Sequence, residues 1–238
     1  MKVVTIIQPP YLPWLGFFAR IAQSDLFISL DHVAIDANSK TKFATRNKIR
    51  TKEGWIWLSV PICSKGSYQN LFLNRIEIDN TQKWAHKHWQ AIHHNYAKSK
   101  YFSDHAPFFK AIYAKEWRRL IDLITAINAY LFRSFAIETK LELSSVLNVG
   151  GEKSDLILNL CKRTNSTIYF SGPFGRDYLN EEQFRRENID ICYHDFKHPV
   201  YMQNYPGFEP CMSAIDLLFN HGPDAKKILR EPPRTNTL

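Results

Sequence analysis

The amino-acid sequence predicts an α/β fold: a Rossmann-like, mostly parallel sheet with a helical insertion or subdomain. A β-branched run over 3–7 is followed by a proline-rich loop, an amphipathic stretch over 15–22 and a second apolar run over 25–31. This order is typical of a βαβ unit. A second helix-to-strand pattern covers 154–164 and 167–170, and a long helical region separates the two. Strands that alternate with helices predict a parallel sheet.

The first strand ends in the loop Gln8-Pro-Pro-Tyr-Leu-Pro-Trp-Leu-Gly16, where prolines prevent the strand from continuing. In a βαβ unit this loop lies at the carboxyl edge of the sheet, where open α/β folds bind ligands. Proline turns also order the loop before any ligand arrives. We therefore predict a ligand site with Gln8, Tyr11, Trp14 and Gly16, although Tyr11 and Trp14 also suit a simple apolar plug at the end of the sheet.

The second strand ends at Asp31, whose carboxylate suits a proton acceptor or a partner for a ribose hydroxyl, or else a solvated strand end. Short strands are predicted over 55–60 and 74–78, within a basic loop region. Residues 40–75 carry eight lysines and arginines against one glutamate, a net charge of +7. In this segment Arg46, with its neighbour Asn47, is the predicted phosphate clamp; the alternative is a solvated positive loop.

Residues 81–136 show two helical periodicities, over 82–98 and 107–137. The first contains four histidines without the H-x-x-x-H spacing of a metal pair, so no metal site is predicted. Because histidine titrates near neutrality, His88 is a candidate general acid or base, with Lys87 and Tyr96 as neighbouring ligand-binding residues. Ordinary helix packing of His88 against tryptophans remains the alternative.

The strand over 167–170 leads to a second predicted ligand loop, in which Ser171, Gly172 and Gly175 present backbone N–H groups to an anion and Tyr178 closes over it. A strand over 189–194, a short helix over 213–219 and a loose end over 231–238 follow. We divide the chain into an N-terminal α/β portion (1–80), a helical subdomain (81–143), a C-terminal portion completing the first (144–222) and a tail (223–238).

The composition narrows the class of protein. Aromatic residues make up 14% of the 238 residues, enough for deep cores or ring-lined pockets, and the net charge of +8 favours anionic partners. No apolar run is long enough to span a membrane, and the four scattered cysteines suit buried, reduced thiols, so we expect a cytoplasmic protein. The chain has no G-x-G-x-x-G, P-loop or G-x-S-x-G motif, so nothing supports a dinucleotide oxidoreductase, a P-loop enzyme or an α/β-hydrolase.

Several motifs together resemble the WbqC-like protein family. They are Q-P-P-Y-L-P-W-L-G-F-F at 8–18, R-N-K-I at 46–49, and S-x-x-D-L-L-F-N-x-G at 213–222. The resemblance extends over residues 4–222 and implies a bacterial protein of surface-polysaccharide (O-antigen) biosynthesis, acting on an activated sugar or its amino substituent. It implies no cofactor.

Three hypotheses follow. The first is an acyl or aminoacyl transferase that binds an anionic small molecule such as a nucleotide sugar, in which Asp31 or His88 moves the proton. The second is a protein that contacts nucleic acid or tRNA through the basic segment and the rings of Phe43, Trp55, Trp57 and Tyr68. The third is a non-catalytic partner of glycan-synthesis enzymes.

Overall fold

The computed structural model describes residues 1–35, 42–64 and 71–230. Five parallel strands form one sheet in the order β5-β2-β1-β6-β7, so the predicted Rossmann-like α/β fold is confirmed. Helices pack on both faces of this sheet. The strands are β1 (Val3–Ile7), β2 (Leu26–Ser29), β3 (Arg46–Thr51), β4 (Gly54–Ser59), β5 (Lys140–Leu143), β6 (Ile168–Ser171) and β7 (Asp190–Tyr193). The helices are α1 (Leu15–Ala22), α2 (Trp84–Tyr96), α3 (Phe102–Ala114), α4 (Leu120–Ser134), α5 (Ser144–Leu147), α6 (Lys153–Arg163), α7 (Glu181–Arg186), α8 (Ile215–His221) and α9 (Ala225–Arg230).

Strand β1 lies at the centre of the sheet. It pairs with β2 on one side, which confirms the predicted βαβ unit, and with β6 on the other. Val4 and Ile6 pack against α6 and α7 on one face of the sheet, and both faces are covered, which explains the continuous apolar run. The chain extends the sheet first toward β5 and then, from β6 onward, in the opposite direction. The order of the strands therefore reverses between β1 and β6.

The aromatic residues fill the other face. Rings from α1, β2 and α4 interlock, with Phe18 tilted against Phe135 at 5.1 Å between ring centroids and Phe17 edge-on to Phe27 at 5.7 Å. One buried apolar cluster joins these rings to α2, α3, α8 and the β3–β4 hairpin. The high aromatic content thus builds the core, as the composition predicts.

The helical region differs from its prediction in one respect. Helix α2 lies within the predicted 82–98, but the single helix expected over 107–137 is wrong, because α3 and α4 are separate. Between them the backbone is extended and pairs with a distant segment: Ile78 N–H donates to Arg118 O at 2.9 Å, and Leu120 N–H donates to Ile76 O at 3.0 Å. Helix α3 also begins before Pro107, which lies inside the helix rather than in its first turn.

The basic segment is not a loop throughout. Arg46–Thr51 forms β3, which pairs antiparallel with the predicted strand β4 in a separate two-stranded sheet. Charged and amide side chains have low strand propensity, so the local sequence does not predict β3. The strand predicted over 74–78 is formed only at its end: Leu73–Arg75 forms a 3-10 turn, while Glu77 and Ile78 make isolated antiparallel bridges. Lys40, Lys65 and Tyr68, and the loose end over 231–238, lie outside the described residues.

Three further findings complete the fold. Strand β5 was not predicted, and residues 225–230 of the expected tail form α9, whose Ala225 and Leu229 are buried in the core. All four cysteines are free thiols, but only Cys161 is buried. Within the described ranges, none of the helices has the length and apolar character needed to cross a membrane.

Candidate functional site

A cleft of about 450 Å³ opens at the carboxyl ends of β1 and β6. This is the point where the order of the strands reverses, and open α/β sheets bind ligands at such a point. The cleft is lined by Ile7, Gln8, Pro10, Trp14, Gly16, Phe17, Arg20, Phe43, Gly172, Pro173, Phe174, His194, Asp195 and Phe196. Most of these residues belong to the loops that follow β1, β6 and β7, or to the start of α1.

Hydrogen bonds from the backbone and from one side chain hold the proline loop in place after β1. Tyr11 N–H donates to Phe43 O at 3.0 Å, and the Asn47 amide donates to Leu12 O at 2.6 Å. Leu12 has a positive φ of 46°, which these contacts maintain. The Pro13 carbonyl accepts a 2.7 Å hydrogen bond from the backbone N–H of the second residue of the C-terminal S-x-x-D motif, Ala214. Contacts within the protein therefore fix the conformation of this loop, as the prolines predict.

The loop directs Trp14 toward the cleft. Its ring meets Phe196 edge-on, with centroids 5.2 Å apart, and covers Gly16 so closely that a Cβ there would lie 2.2 Å from the indole. Gly16 therefore permits this position of the ring. Gln8 lines the same cleft, and its amide makes a long 3.4 Å hydrogen bond to Ala34 O.

The cation of the cleft is Arg20, which follows Gly16 by one helical turn on α1. Burial lowers the pKa of this guanidinium, while the nearby phenols of Tyr169 and Tyr178 oppose the shift. Among the described residues, no carboxylate lies within 4.0 Å of it, and no hydrogen bond from its side chain is found. Partial desolvation of a guanidinium without a carboxylate partner is unfavourable, and a bound anion would offset it.

Two titratable residues follow β7 in the cleft, His194 and Asp195. Desolvation, with a smaller effect of the Arg20 charge, lowers the pKa of His194 to about 4, and Asp195 opposes this. The imidazole is consequently neutral at pH 7 and can accept a proton. His194 also packs edge-on against Phe170 on β6, at 5.1 Å between centroids.

The loop after β6 has a different conformation from the predicted anion-binding loop. Gly172 lies against the guanidinium, since a Cβ there would lie 2.4 Å from Arg20 Nη1. Pro173–Asp177 then forms a 3-10 turn, in which Gly175 N–H and Tyr178 N–H donate to backbone carbonyls of the turn. Ser171 is buried, and Gly175 leaves room for its hydroxyl; Tyr178 is half-exposed near Arg20.

Asp31 lies at the same sheet edge but outside this cleft, beside a separate cavity of about 760 Å³. Its carboxylate accepts from Ser144 Oγ at 2.9 Å, Ser145 N–H at 2.9 Å and Ser145 Oγ at 2.5 Å. These bonds tie the end of β2 to the first turn of α5. The geometry supports a structural role as a helix cap.

His88 is buried and is not among the residues that line the cleft. Its Nδ1 lies 2.8 Å from the Tyr11 hydroxyl, which lies 2.6 Å from the Tyr113 hydroxyl. Burial lowers the pKa of His88 to about 4, with a backbone hydrogen bond to Ser59 opposing the shift. Tyr11 therefore faces a buried network rather than the ligand edge, and the packing alternative for His88 fits this environment.

The other predicted residues are distributed over the molecule. Arg46 lies on the hairpin, 4.2 Å above the ring of Trp57, while Asn47 holds the proline loop. Tyr96 is buried and donates to Asp216 at 2.9 Å, and Lys87 is exposed on α2. The structure thus brings Gln8, Trp14, Gly16 and Gly172 together at the cleft. The described residues contain no group of three or more histidines, cysteines or carboxylates that could hold a metal ion.

Sequence reasoning missed Arg20, Phe174, His194 and Asp195, and it assigned Phe43 to a nucleic-acid surface rather than to this cleft. Two signals were available. Arg20 is the one charged residue in the otherwise apolar helix α1, and His194 and Asp195 directly follow a predicted strand of a parallel sheet. The carboxyl-edge rule that selected the first loop applies equally to that third loop.

Comparisons with known proteins agree with the resemblance read from the motifs. The model of the WbqC-like protein family matches residues 8–228. The chain is 35% identical over 236 residues to an uncharacterised protein of Mycobacterium tuberculosis, Rv1507c, covering 97% of this chain and 98% of that protein. No solved structure matches significantly. The chain belongs to the WbqC-like protein family.

Proposed function

We propose that the chain is a cytoplasmic enzyme of bacterial surface-polysaccharide biosynthesis that binds an activated sugar, such as a nucleotide sugar, in the cleft between β1 and β6. The observation that carries this proposal is the partly buried, desolvated guanidinium of Arg20, which has no carboxylate partner in the described part of the chain and lines a cleft rich in aromatic rings. Phosphate oxygens are the natural partners of such a guanidinium.

The lining supports a ligand with a flat or sugar portion beside its phosphates. Trp14, Phe174 and Phe196 supply apolar faces, and Gln8 supplies an amide for a hydroxyl group. A neighbouring cavity of about 760 Å³ shares His194, Asp195 and Phe196 with the cleft, which leaves room for a second substrate. Ligand clefts of ~300–1,000 Å³ are typical.

The proposed reaction is acyl or aminoacyl transfer to the amino group of the sugar. The amine nitrogen attacks the carbonyl carbon of a thioester or ester donor, a C–N bond forms, and the C–S or C–O bond to the donor breaks. The proton lost from the amine passes to His194, which is neutral at pH 7, and from there to the departing thiolate or alkoxide. An anion bound at Arg20 offsets the positive charge that helps to lower the pKa of His194, and so makes the imidazole a stronger base. Asp31 and His88 remain predictions for this role, and their positions outside the cleft lining favour His194.

A thermal-shift screen tests the proposal, because a ligand that binds only the native state raises the melting temperature. The panel contains UDP-, GDP- and dTDP-sugars, acyl-CoA thioesters and bulk tRNA. We expect a shift with a nucleotide sugar that is lost in Arg20→Met and kept in Arg163→Met, an exposed arginine on α6 that lines none of these cavities. A shift that persists in Arg20→Met, or none with any sugar nucleotide, contradicts the proposal; silence across the whole panel favours the non-catalytic partner.

A turnover assay with the ligand found separates the candidate proton acceptors. His194→Gln should lose transfer activity while keeping nucleotide-sugar affinity, whereas Asp31→Asn should lose thermal stability and keep activity. Loss of turnover in Asp31→Asn at normal stability would return the catalytic role to Asp31.

A further inference from the structure

The β3–β4 hairpin presents two different faces. The register pairs Lys48 with Trp57 and Arg46 with Ser59 across the ladder, and side chains two residues apart share a face of a strand. Ile49 and Leu58 lie on the opposite face, at 0% and 3% exposure, within the core. We call the side that carries Arg46, Lys48, Trp55 and Trp57 the ring face.

Cations and rings interlock on the ring face. The Trp55 and Trp57 ring centroids lie 5.6 Å apart at an interplanar angle of 78°. Lys48 Nζ lies 4.1 Å from the Trp55 centroid and 5.4 Å from the Trp57 centroid, and Arg46 Cζ lies 4.2 Å from that of Trp57. Cation–π contacts hold the charged groups beside the rings.

The ring face is open to solvent. Trp55 is 41% exposed, and Trp57 beside it on the same face is partly exposed. A monomeric protein seldom leaves adjacent large apolar side chains exposed without a binding partner. Residues 42–64 contain five lysines and arginines against Glu53 alone, and the Glu209 carboxylate near Gly54 is a second acidic group at the hairpin turn. The ring face is therefore both aromatic and positive.

We propose that the ring face of the β3–β4 hairpin binds single-stranded nucleic acid, with bases stacking on Trp55 and Trp57 and phosphates on Lys48 and Arg46. Rings beside a positive strand are how proteins bind single strands without reading sequence. A protein partner is less suited, because the centres of protein interfaces are depleted of lysine. Arg46 and Lys48, ~6.6–6.8 Å apart along the strand, suit a linear row of charges better than one small anion. This site is independent of the cleft and of the function proposed for it.

Fluorescence anisotropy of the full chain tests this site, with labelled 15-nucleotide dT and rU strands, a duplex of the same length and heparin as an anionic glycan. We expect the single strands to bind more tightly than the duplex or heparin. Trp55→Ala and Trp57→Ala should each weaken binding about 5- to 150-fold. Lys48→Met should weaken binding and reduce the slope of log affinity against log salt by about one phosphate contact.

Matched control variants distinguish a loss of binding at the ring face from unfolding and from a general effect of net charge. Trp55→Phe, which keeps a stacking ring, should retain most of the affinity, and Lys110→Met, an exposed lysine on α3, should behave as the unmodified protein. Each variant is first checked by its melting temperature. Arg20→Met should leave oligonucleotide binding unchanged, so failure here and failure of the cleft proposal are distinguishable.

Three results would overturn the inference. One is no binding of single strands at 50 mM salt; another is binding that Trp55→Ala and Trp57→Ala leave intact. The third is heparin binding as tight as that of the strands and equally sensitive to the two tryptophan variants, which would make the ring face an anionic-glycan site.

Discussion

The cleft and the ring face combine the same two ingredients, a cation and aromatic rings, in opposite environments. Arg20 is partly buried between α1 and the loop after β6, and this desolvation lowers its pKa, whereas Lys48 lies over the ring of Trp55, which is 41% exposed. Coulomb interactions strengthen as the local dielectric constant falls and weaken in water. Burial, rather than residue type, therefore decides whether a cation beside aromatic rings is suited to bind one positioned anion or a polyanion of any sequence.

The largest expected effect is at Arg20, the partly buried cation of the cleft. Arg20→Met should weaken binding of the activated sugar at least about 30-fold, because losing one partner of a buried charge pair costs ~2–5 kcal/mol. The melting temperature of the free protein should stay constant or rise, since the variant no longer buries a charge that lacks a carboxylate partner in the described structure. Isothermal titration calorimetry and thermal melts measure both quantities. A stability loss that equals the affinity loss would make Arg20 a structural residue.

A smaller effect is expected from moving the same guanidinium. A Cβ at Gly172 would lie 2.4 Å from Arg20 Nη1, and the flexible arginine can move aside without unfolding the loop. Gly172→Ala should therefore lower affinity about tenfold, equivalent to ~1.4 kcal/mol, with little change in stability. Gly150→Ala is the matched control, because nothing lies within 4 Å of its added Cβ. Equal affinities of the two variants would mean that the position of Arg20 is not important.

The same contrast explains what the sequence could predict. Strand β1, helix α1 and strand β2 follow from local patterns, and the prolines after Ile7 correctly indicate a rigid loop at the carboxyl edge. Which side of the loop each ring takes is set by tertiary packing. Tyr11 turns to His88 and Tyr113, while Trp14 turns to Phe196, although both stand in one short motif.

Long-range pairing accounts for the other errors. The break between α3 and α4 depends on backbone bonds between residues 76–78 and 118–120, some forty residues apart in sequence. Strand β3 is stabilised by its partner β4 and by the core beneath Ile49. Its charged outer residues have low strand propensity, so the local sequence does not predict it. The charge of Arg46 predicts a phosphate clamp, but only the strand register shows that Arg46 lies with Trp57 on the hairpin rather than at the cleft.

A several-fold effect of pH should distinguish the cleft. Three groups lie around the imidazole of His194: the Arg20 guanidinium on α1, the Asp195 carboxylate in the same loop and the ring of Phe170. The pKa of His194 is lowered to about 4. An anion at Arg20 raises that pKa toward its usual 6.5, so binding takes up a proton and affinity rises as pH falls from ~6.5 toward 4. Titrations at pH 7.5, 6 and 5 measure this rise, and His194→Gln should abolish it.

The free protein should show the opposite trend with pH. His88 and His194 both have a folded pKa of about 4, below the unfolded value, so the unfolded chain binds more protons between these values. Stability should be constant above pH ~6.5 and fall as pH decreases toward 4. Thermal melts with and without ligand compare the two trends. An affinity that falls in parallel with stability would mean that His194 does not sense the anion.

The smallest expected effect is that of salt on the cleft, and it tests the comparison most directly. Two phosphate contacts on the ring face predict an affinity loss of about sevenfold between 50 and 200 mM salt, from a slope near −0.7 per contact. The partly buried Arg20 pair is screened less, so nucleotide-sugar affinity should change by less than about threefold over the same range. Both titrations use the same protein and buffers, so differences in net charge cannot produce the contrast. Equal slopes of log affinity against log salt would mean that water and ions reach Arg20 as freely as they reach Lys48. Burial would then no longer explain why the cleft is suited to a single small anion and the ring face to a nucleic-acid strand.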